Sequence, residues 1–536
     1  MDNQIDLIPS RNGELNVQYN GKVLYSRYNP SASVERLAGK TPLKARTIYF
    51  IPSPLLGYGI LTLMESLPED SILIAVETDQ QLMAISTSYI SNIQKKGVCE
   101  FFRLDDPVSL YKIYNGLSCS LYRSCCMIPM NGGYQLNREK YDSLFSSLEH
   151  YLQNFWQNRM TSVKLGELWM KNLFSNLSRS EGQQLSHFKT DRSVLLAGAG
   201  ESLEGTIPLI KERRERFFIL AVDTAVQTLV RSGIIPDAVV NLEAQFHNLK
   251  DFYSLSGKPF RQFADLTAYP PSLRRFKGEQ FYFSSRFSSA AIIARLNSAG
   301  ILAPEIPALG SVGVTALYVA TEISDGPIFL TGLDFSYIPG KSHATDSPFH
   351  DWARLRESRL NGDTWYGFSC SRPGFKTRGK GDDSFLRTNA ILVSYCNQLK
   401  DMCRLMDREI YDIAKTGLDL QIPAIDHSRA KQLADANQKH SGHTEQPQLE
   451  SRPDQMQIHS FIRKERKELD KLIKLWDELS AGRREAESLL PSLHYCDYLF
   501  YHFPDTTVLP NTSPSFLVRA ITSARSYRRL LDSLLT

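Results

Sequence analysis

Residues 193–243 read SVLLAGAGESLEGTIPLIKERRERFFILAVDTAVQTLVRSGIIPDAVVNLE, and the fold class follows from this stretch. Ser193 to Ala197 is a short apolar run of strand type, closed by the turn Gly198-Ala199-Gly200-Glu201-Ser202. Leu203, Ile207 and Ile210 then fall on one face of a helix, as the 3.6-residue period requires. Phe217 to Val222 is a second buried strand ending at Asp223-Thr224, Ala225 to Ser232 a second helix stopped by Gly233, and Ala238 to Leu242 a third strand ending at Glu243. Strands alternating with helices of this length predict an α/β fold with a parallel sheet.

A strand, a glycine turn and a helix N-terminus present backbone N–H groups and a positive dipole end, which suits a phosphate. Gly198, Gly200 and Ser202 are therefore candidate nucleotide-binding positions, although Leu203 stands where a dinucleotide fingerprint has its third glycine, which disfavours nicotinamide chemistry. A plain tight turn is the competing reading. Asp223 with Thr224, and Glu243, lie at the carboxyl ends of adjacent strands, and open α/β sheets bind ligands beyond the carboxyl ends of their strands. Helix capping accounts for Asp223 or Thr224 equally well.

A further cluster spans Gly310 to His350. Gly310-Ser311-Val312-Gly313 opens an apolar helix, Pro327 to Thr331 reads as a buried strand, Gly332-Leu333-Asp334 follows at its carboxyl end, and His343 sits in the polar loop beyond. Gly310, Ser311 and Gly332 join the candidate binding set. His343 is the preferred acid/base candidate, with Asp334 next and Glu243 behind them.

Outward from this centre, 536 residues exceed one ordinary core. Expected divisions are an N-terminal β-hairpin with a Rossmann-like domain at 1–134, a helical connector at 135–185, a central domain at 186–430, a polar linker at 431–456 and a helical C-terminal region at 457–536. Asn20-Gly21 marks the hairpin turn. Thr47 to Ile51 and Ser71 to Glu77 read as strands, and Gly57 to Ser66 and Asp79 to Lys95 as helices. Glu77 sits where nucleotide-binding folds place a ribose-holding carboxylate, but Pro52 and Pro54 in the preceding turn lack the N–H groups a phosphate would need. A degenerate, structural Rossmann-like domain is the expected outcome.

Apolar residues make up 42% and charged residues 22% of the chain, and the formal net charge is +4. Neither nucleic acid nor membrane is implied as a partner, and the polar N-terminus together with the lack of a long apolar run points to a cytoplasmic protein. Eight cysteines without a CxxC pair predict reduced thiols. Lys211, Arg213, Arg214 and Arg216 read as a solvated helix end. Arg372, Lys376, Arg378 and Lys380, in a glycine-rich stretch, suggest a mobile basic loop that covers an anionic ligand.

GAGESL at 198–203, AVDTAVQTLVRSGIIPD at 221–237, GSVGVTALYVA at 310–320, TGLDFSYIPGKSHA at 331–344 and IYDIAKTGLDLQIPAI at 410–425 together resemble the central domain of the motility-associated factor (Maf) flagellin glycosyltransferases. That domain shares its fold with an archaeal 6-hydroxymethylpterin diphosphokinase and looks like sialyltransferases. YSRYNPSASVERLA at 25–38 resembles the family's amino-terminal domain. Glu201 and Glu243 depart from the family's usual Pro and Asp. The resemblance implies a sialyltransferase-like, GT-A-like central α/β domain. It also implies transfer of a nonulosonic, pseudaminic-acid-like sugar from a CMP donor to Ser or Thr of flagellin, the protein acceptor, with Asp223, Asp237, Glu243, Asp334 and His343 supplying ribose contacts, stabilisation of an oxocarbenium-like centre or the base for the acceptor hydroxyl. No cofactor is required for this, and Mg²⁺ is compatible with the carboxylates without being expected. The alternatives are a pterin diphosphokinase-like enzyme and a non-catalytic flagellin-binding chaperone or regulatory protein.

Overall fold

The structure is a computed structural model, and it describes residues 5–94, 99–103, 121–181, 183–285, 290–301, 305–360, 373–380, 385–440, 453–504 and 510–536. The chain divides into two compact units, Met1–Thr161 and Ser162–Thr536.

The second unit is built on an eight-stranded sheet. In chain order its strands are β1 (Ser193–Ala197), β2 (Phe217–Val222), β3 (Ala238–Asn241), β4 (Arg261–Asp265), β5 (Gln280–Ser285), β6 (Glu305–Ile306), β7 (Ile328–Thr331) and β8 (Ile410–Asp412). The spatial order is β6-β5-β4-β3-β2-β1-β7-β8, and every pairing is parallel. β1, β2 and β3 are buried at every residue, as a sheet covered on both faces requires, and this is why they read as unbroken apolar runs rather than alternating ones. The chain leaves β1 toward β2 and returns on its other side as β7, so the order reverses between β1 and β7.

Helices α1 (Leu203–Glu212), α2 (Asp223–Arg231), α3 (Leu249–Phe252), α4 (Val312–Ile323) and α5 (Pro348–Arg356) bear on the site. α2 starts at Asp223, two residues earlier than expected, because Asp223 and Thr224 already form its first turn.

The C-terminal helices Gln455–Ser480 and Pro514–Leu535 do not form a core of their own. Ile462, Leu469, Leu517 and Leu531 share one apolar cluster with Trp169, Phe174, Leu266 and Ile293, so the central and C-terminal regions belong to one unit. The expected linker at 431–456 is also not all linker. The helix His427–His440 runs into it, with Ala434 buried against the sheet core, and residues 441–452 lie outside the described part. The expected basic loop includes a two-stranded hairpin, Phe375–Arg378 paired with Phe385–Thr388. Lys376 and Arg378 are exposed on it, Lys380 is paired with Asp412, and Arg372 lies outside the described residues. Arg214 is not merely solvated, because it joins Arg192 on Asp237.

The first unit holds a four-stranded parallel sheet of Cys99–Arg103, Ile72–Glu77, Thr47–Pro52 and Ser124–Met127 in that spatial order. Beside it is an antiparallel sheet of Ile5–Pro9, Leu15–Tyr19 and Lys22–Val23. Asn20 and Gly21 both take positive φ, 47° and 78°, as the expected hairpin turn demands. The connector is one helix, Arg138–Leu177. Tyr141, Leu148 and Leu152 pack on strand residues of the first unit, whereas Trp169, Met170, Leu173, Phe174 and Leu177 belong to a core of the second. Among the described residues no helix is long and apolar enough to cross a membrane.

Arg295 and the fully buried Glu465 form a two-pronged ion pair of 2.9 and 3.0 Å, with Tyr495 OH donating to the same carboxylate at 3.0 Å. Deleting one partner of a buried pair leaves an uncompensated charge, at a cost of about 3–5 kcal/mol. Arg295→Met is expected to lower the urea stability of the second unit by about 3 kcal/mol. The double variant Arg295→Met/Glu465→Leu is expected to recover most of that loss, and equal losses in the single and double variants would contradict the pairing.

Candidate functional site

At the reversal point the turns after β1 and β7 meet directly. Gly200 N–H donates to the Gly332 carbonyl at 2.8 Å, and Gly332 N–H to Ser202 Oγ at 2.9 Å. A Cβ on Gly332, whose φ is +67°, would lie 2.2 Å from the Gly198 carbonyl oxygen, and one on Gly200 would lie 2.4 Å from Asp334 Oδ2. Only glycine allows this approach. Asp334 is buried, and its carboxylate accepts the Ser202 N–H at 3.0 Å and the Ser202 hydroxyl. Burial pushes its pKa up to about 6. The amide expected to face a phosphate thus holds the protein's own anion.

The adjoining space is a cavity of about 610 Å³ between the ends of β2 and β3, α3, the start of α4 and α5. Asp223, Thr224, Glu243 and His343 line it, four of the expected residues. Asp223 is buried, with Oδ1 accepting from Thr224 N–H at 2.8 Å and Thr224 Oγ1 at 3.1 Å, and Oδ2 from Asn248 at 2.8 Å. Burial raises its pKa, and the Glu243 charge adds to this. Glu243 Oε1 accepts the Gln245 N–H at 2.8 Å. His343 Nδ1 lies 3.0 Å from Ser342 Oγ, and its ring packs on Phe349.

Ser311 caps α4, accepting the Gly313 N–H at 3.2 Å, and the neighbouring Val312 lines the cavity. The N-terminus of a twelve-residue helix therefore opens beside it, a favourable place for an anion. Gly310 N–H donates to Gln398 at 3.2 Å, and Tyr395 leaves no room for a side chain there. Asp237 is elsewhere. It precedes β3, at the opposite edge of the sheet, where Arg192 and Arg214 hold it at 2.9 and 3.0 Å and Ile219 N–H donates to it. A strand-start position cannot reach the carboxyl-end crevice, so Asp237 is a structural anchor rather than a donor contact.

Sequence reasoning passed over Asn248, Lys250 and Asp251 on one side of the cavity and Trp352 and Arg356 on the other. A signal existed, since HNLKDFY at 247–253 concentrates polar, charged and aromatic residues just past a strand end. Lys250 Nζ lies 5.1 Å from the centre of the Trp352 ring. Burial holds Asp251 up to about 8, and the charges of Asp223 and Glu243 push it further in that direction. Among the described residues no group of three or more His, Cys, Asp or Glu side chains is placed to hold a metal ion.

α5 is fastened over the cavity. Arg231 grips Asp351 at 2.6 and 3.0 Å, Gln227 donates to Asp351 at 2.8 Å, Lys341 pairs with Glu204 at 2.7 Å, and Ala344 N–H reaches the Ala199 carbonyl at 2.9 Å. In the first unit, Glu77 does not offer a ribose contact. It is fully buried, and its carboxylate accepts from Ser53, Ser86, Tyr141 and the amides of Thr78 and Asp79.

Residues 167–340 match the family of 6-hydroxymethylpterin diphosphokinase MptE-like proteins. An uncharacterized protein of Treponema pallidum (strain Nichols) is 27% identical over 549 aligned positions, covering 98% of this chain and 95% of that protein. A second from the same organism is 24% identical over 155, covering 27% of this chain and 74% of its own length. Among solved structures, the Maf glycosyltransferase from Magnetospirillum magneticum AMB-1 superposes with a TM-score of 0.58 at 12% identity, over 99% of this chain and 90% of that one.

The glycine contact separates two kinds of glycine. Gly332→Ala places a side chain at positive φ against a carbonyl and is expected to cost about 3 kcal/mol or more. Gly205→Ala, on the exposed face of α1 with open space around it, is expected to stabilise by about 0.5–1 kcal/mol. Thermal unfolding of both variants checks this, and equal effects would contradict the direct turn-to-turn contact.

Proposed function

With an MptE-like domain inside a chain of Maf-glycosyltransferase fold as the premise, we propose that this protein is a glycosyltransferase working in the cavity between the ends of β2 and β3. The reading rests above all on that cavity: about 610 Å³, within the range of small-ligand sites, with carboxylates on one side and Lys250, Trp352 and Arg356 on the other. A nucleotide-activated sugar presents both an anionic diester and many hydroxyls. The N-terminus of α4 and the Lys250 and Arg356 cations suit the phosphate, while Asp223 and Glu243 suit hydroxyl groups and an oxocarbenium-like centre.

The donor we favour is a CMP-activated nonulosonic sugar and the acceptor a Ser or Thr hydroxyl of flagellin. Such a transfer serves flagellar assembly and motility, and takes place before the flagellin is exported, hence in the cytoplasm. The match of residues 167–340 to the diphosphokinase family keeps one second reading open, transfer of diphosphate from ATP to a pterin alcohol. The fold match to the Maf glycosyltransferase runs over 99% of this chain, against residues 167–340 for the diphosphokinase family, which favours the glycosyl-transfer reading.

Cells lacking this protein are expected to make flagellin lighter by the mass of a sugar, by intact mass spectrometry. Glu243→Gln is expected to slow transfer by about a hundredfold or more. Unchanged flagellin in the deletion strain, with ATP-dependent diphosphorylation of a hydroxymethylpterin by the pure protein, would replace this function with the second reading.

A further inference from the structure

Three carboxylates, Asp223, Glu243 and Asp251, line one cavity with His247, Lys250, His343 and Arg356 as its other titratable groups. Like charges this close cannot all be carried at neutral pH without a cation among them. The carboxylates differ in what already holds them. Both oxygens of Asp223 are taken, by Thr224 and by Asn248, and Glu243 caps the turn at Gln245. A second observation points to the same corner. Asn248 is 2% exposed and lines the cavity, its Nδ2 donates to Asp223, and its Oδ1 has no donor among the described residues. The Asn248 side chain also hydrogen-bonds Asp251, so this one residue holds two of the three carboxylates on one wall of the cavity.

We propose that Asp251, supported by Asn248, is the proton-transfer residue of this cavity, receiving the proton of the acceptor hydroxyl. The inference rests on the glycosyl-transfer reading above. In the step, the acceptor oxygen forms a bond to the anomeric carbon of the donor and its proton passes to the Asp251 carboxylate. The bond from the anomeric carbon to the phosphate oxygen breaks, and its electron pair leaves with the phosphate. Asp251 then returns the proton to solvent. Asn248, bonded to both Asp223 and Asp251, holds the Asp251 carboxylate in place. His343, with Nδ1 beside Ser342 and its ring on Phe349, lines the same cavity.

Burial, reinforced by Asp223 and Glu243, raises the affinity of Asp251 for its proton, while Lys250 and Asn248 oppose the shift. A carboxyl with a folded-state pKa of about 8 binds more protons folded than unfolded between about pH 4 and that value. Stability therefore falls as pH rises through this window and levels beyond it. Asp251→Asn cannot ionise and escapes that loss.

The test uses the full-length protein and flagellin from cells that carry it. The melting temperature of Asp251→Asn minus that of wild type is expected to grow by on the order of 5 °C between pH 5 and pH 8. Cells carrying the variant are expected to make flagellin lacking the sugar mass. A variant that is more stable at pH 8 yet inactive is not what a purely structural carboxyl would produce. A melting difference independent of pH would overturn the proposal, as would normal flagellin mass in Asp251→Asn cells when the deletion strain loses the sugar. Unchanged flagellin in the deletion strain would remove the transferase reading, and this step with it, and is told apart because the deletion itself is silent.

Discussion

The carboxylate of Asp334 on the turn at Gly200 to Ser202 is the contact on which the site depends. It accepts the Ser202 amide and hydroxyl, and Ser202 Oγ accepts in turn from Gly332 N–H. The turn after β1 is thereby tied to the turn after β7, across the line where the strand order reverses. Three glycines at 198, 200 and 332 let the backbones touch. From there the chain is carried back over α1 and α2 by Ala344 on Ala199, Thr345 and Lys341 on Glu204, and Asp351 on Arg231. The position of α5 over the cavity is therefore a consequence of the tie.

Parallel α/β sheets leave their ligand crevice where strand order reverses. Here the protein's own anion occupies the turn at that reversal, and among the described residues a ligand-sized space opens past the ends of β2 and β3. The helix N-terminus facing it is that of α4, not α1. Electrostatics accommodates the change: an Asp334 carboxylate already sits at the start of α1, with Glu201 nearby and held by Thr416, so a second anion there would meet like charge. At α4 the cap is the neutral Ser311, and Lys250 and Arg356 line the same cavity.

The fold was legible because its signals are local. SVLLA, FFILAV and IFLT are runs that only doubly covered strands carry, and the glycine turns between them mark the carboxyl edge. Asp223, Glu243 and His343 were legible for the same reason, each falling within a few residues of a strand end or in the loop beyond. Asp237 entered with the resemblance alone, and its place just before β3 puts it at the start of a strand rather than at a ligand-binding end. Asp334 misled differently. It stands at the right edge, but its partner Ser202 is 132 residues away, and no local pattern reports that the carboxylate is already satisfied. Asn248, Lys250, Asp251, Trp352 and Arg356 were missed because short irregular helices carry no periodic signal, and their convergence exists only after β3 and β7 are brought into one sheet.

What a buried carboxylate faces, rather than how many donors it has, separates scaffold from chemistry in this chain. Glu77 has five, all from its own unit. Asp334 has the amide and hydroxyl of one residue and is walled in by glycine backbone. Asp223 has three donors but keeps an edge on the cavity. A carboxylate whose lone pairs are all engaged is a fixed negative point that orders a turn, and it cannot change protonation without breaking the structure it orders. One that faces open volume with like charges beside it has no such task to perform, and its cost to stability is retained only if a ligand relieves it. By that criterion Asp251 on α3, lining the cavity beside Asp223 and Glu243, stands apart from carboxylates such as Glu77 and Asp334 that order a turn.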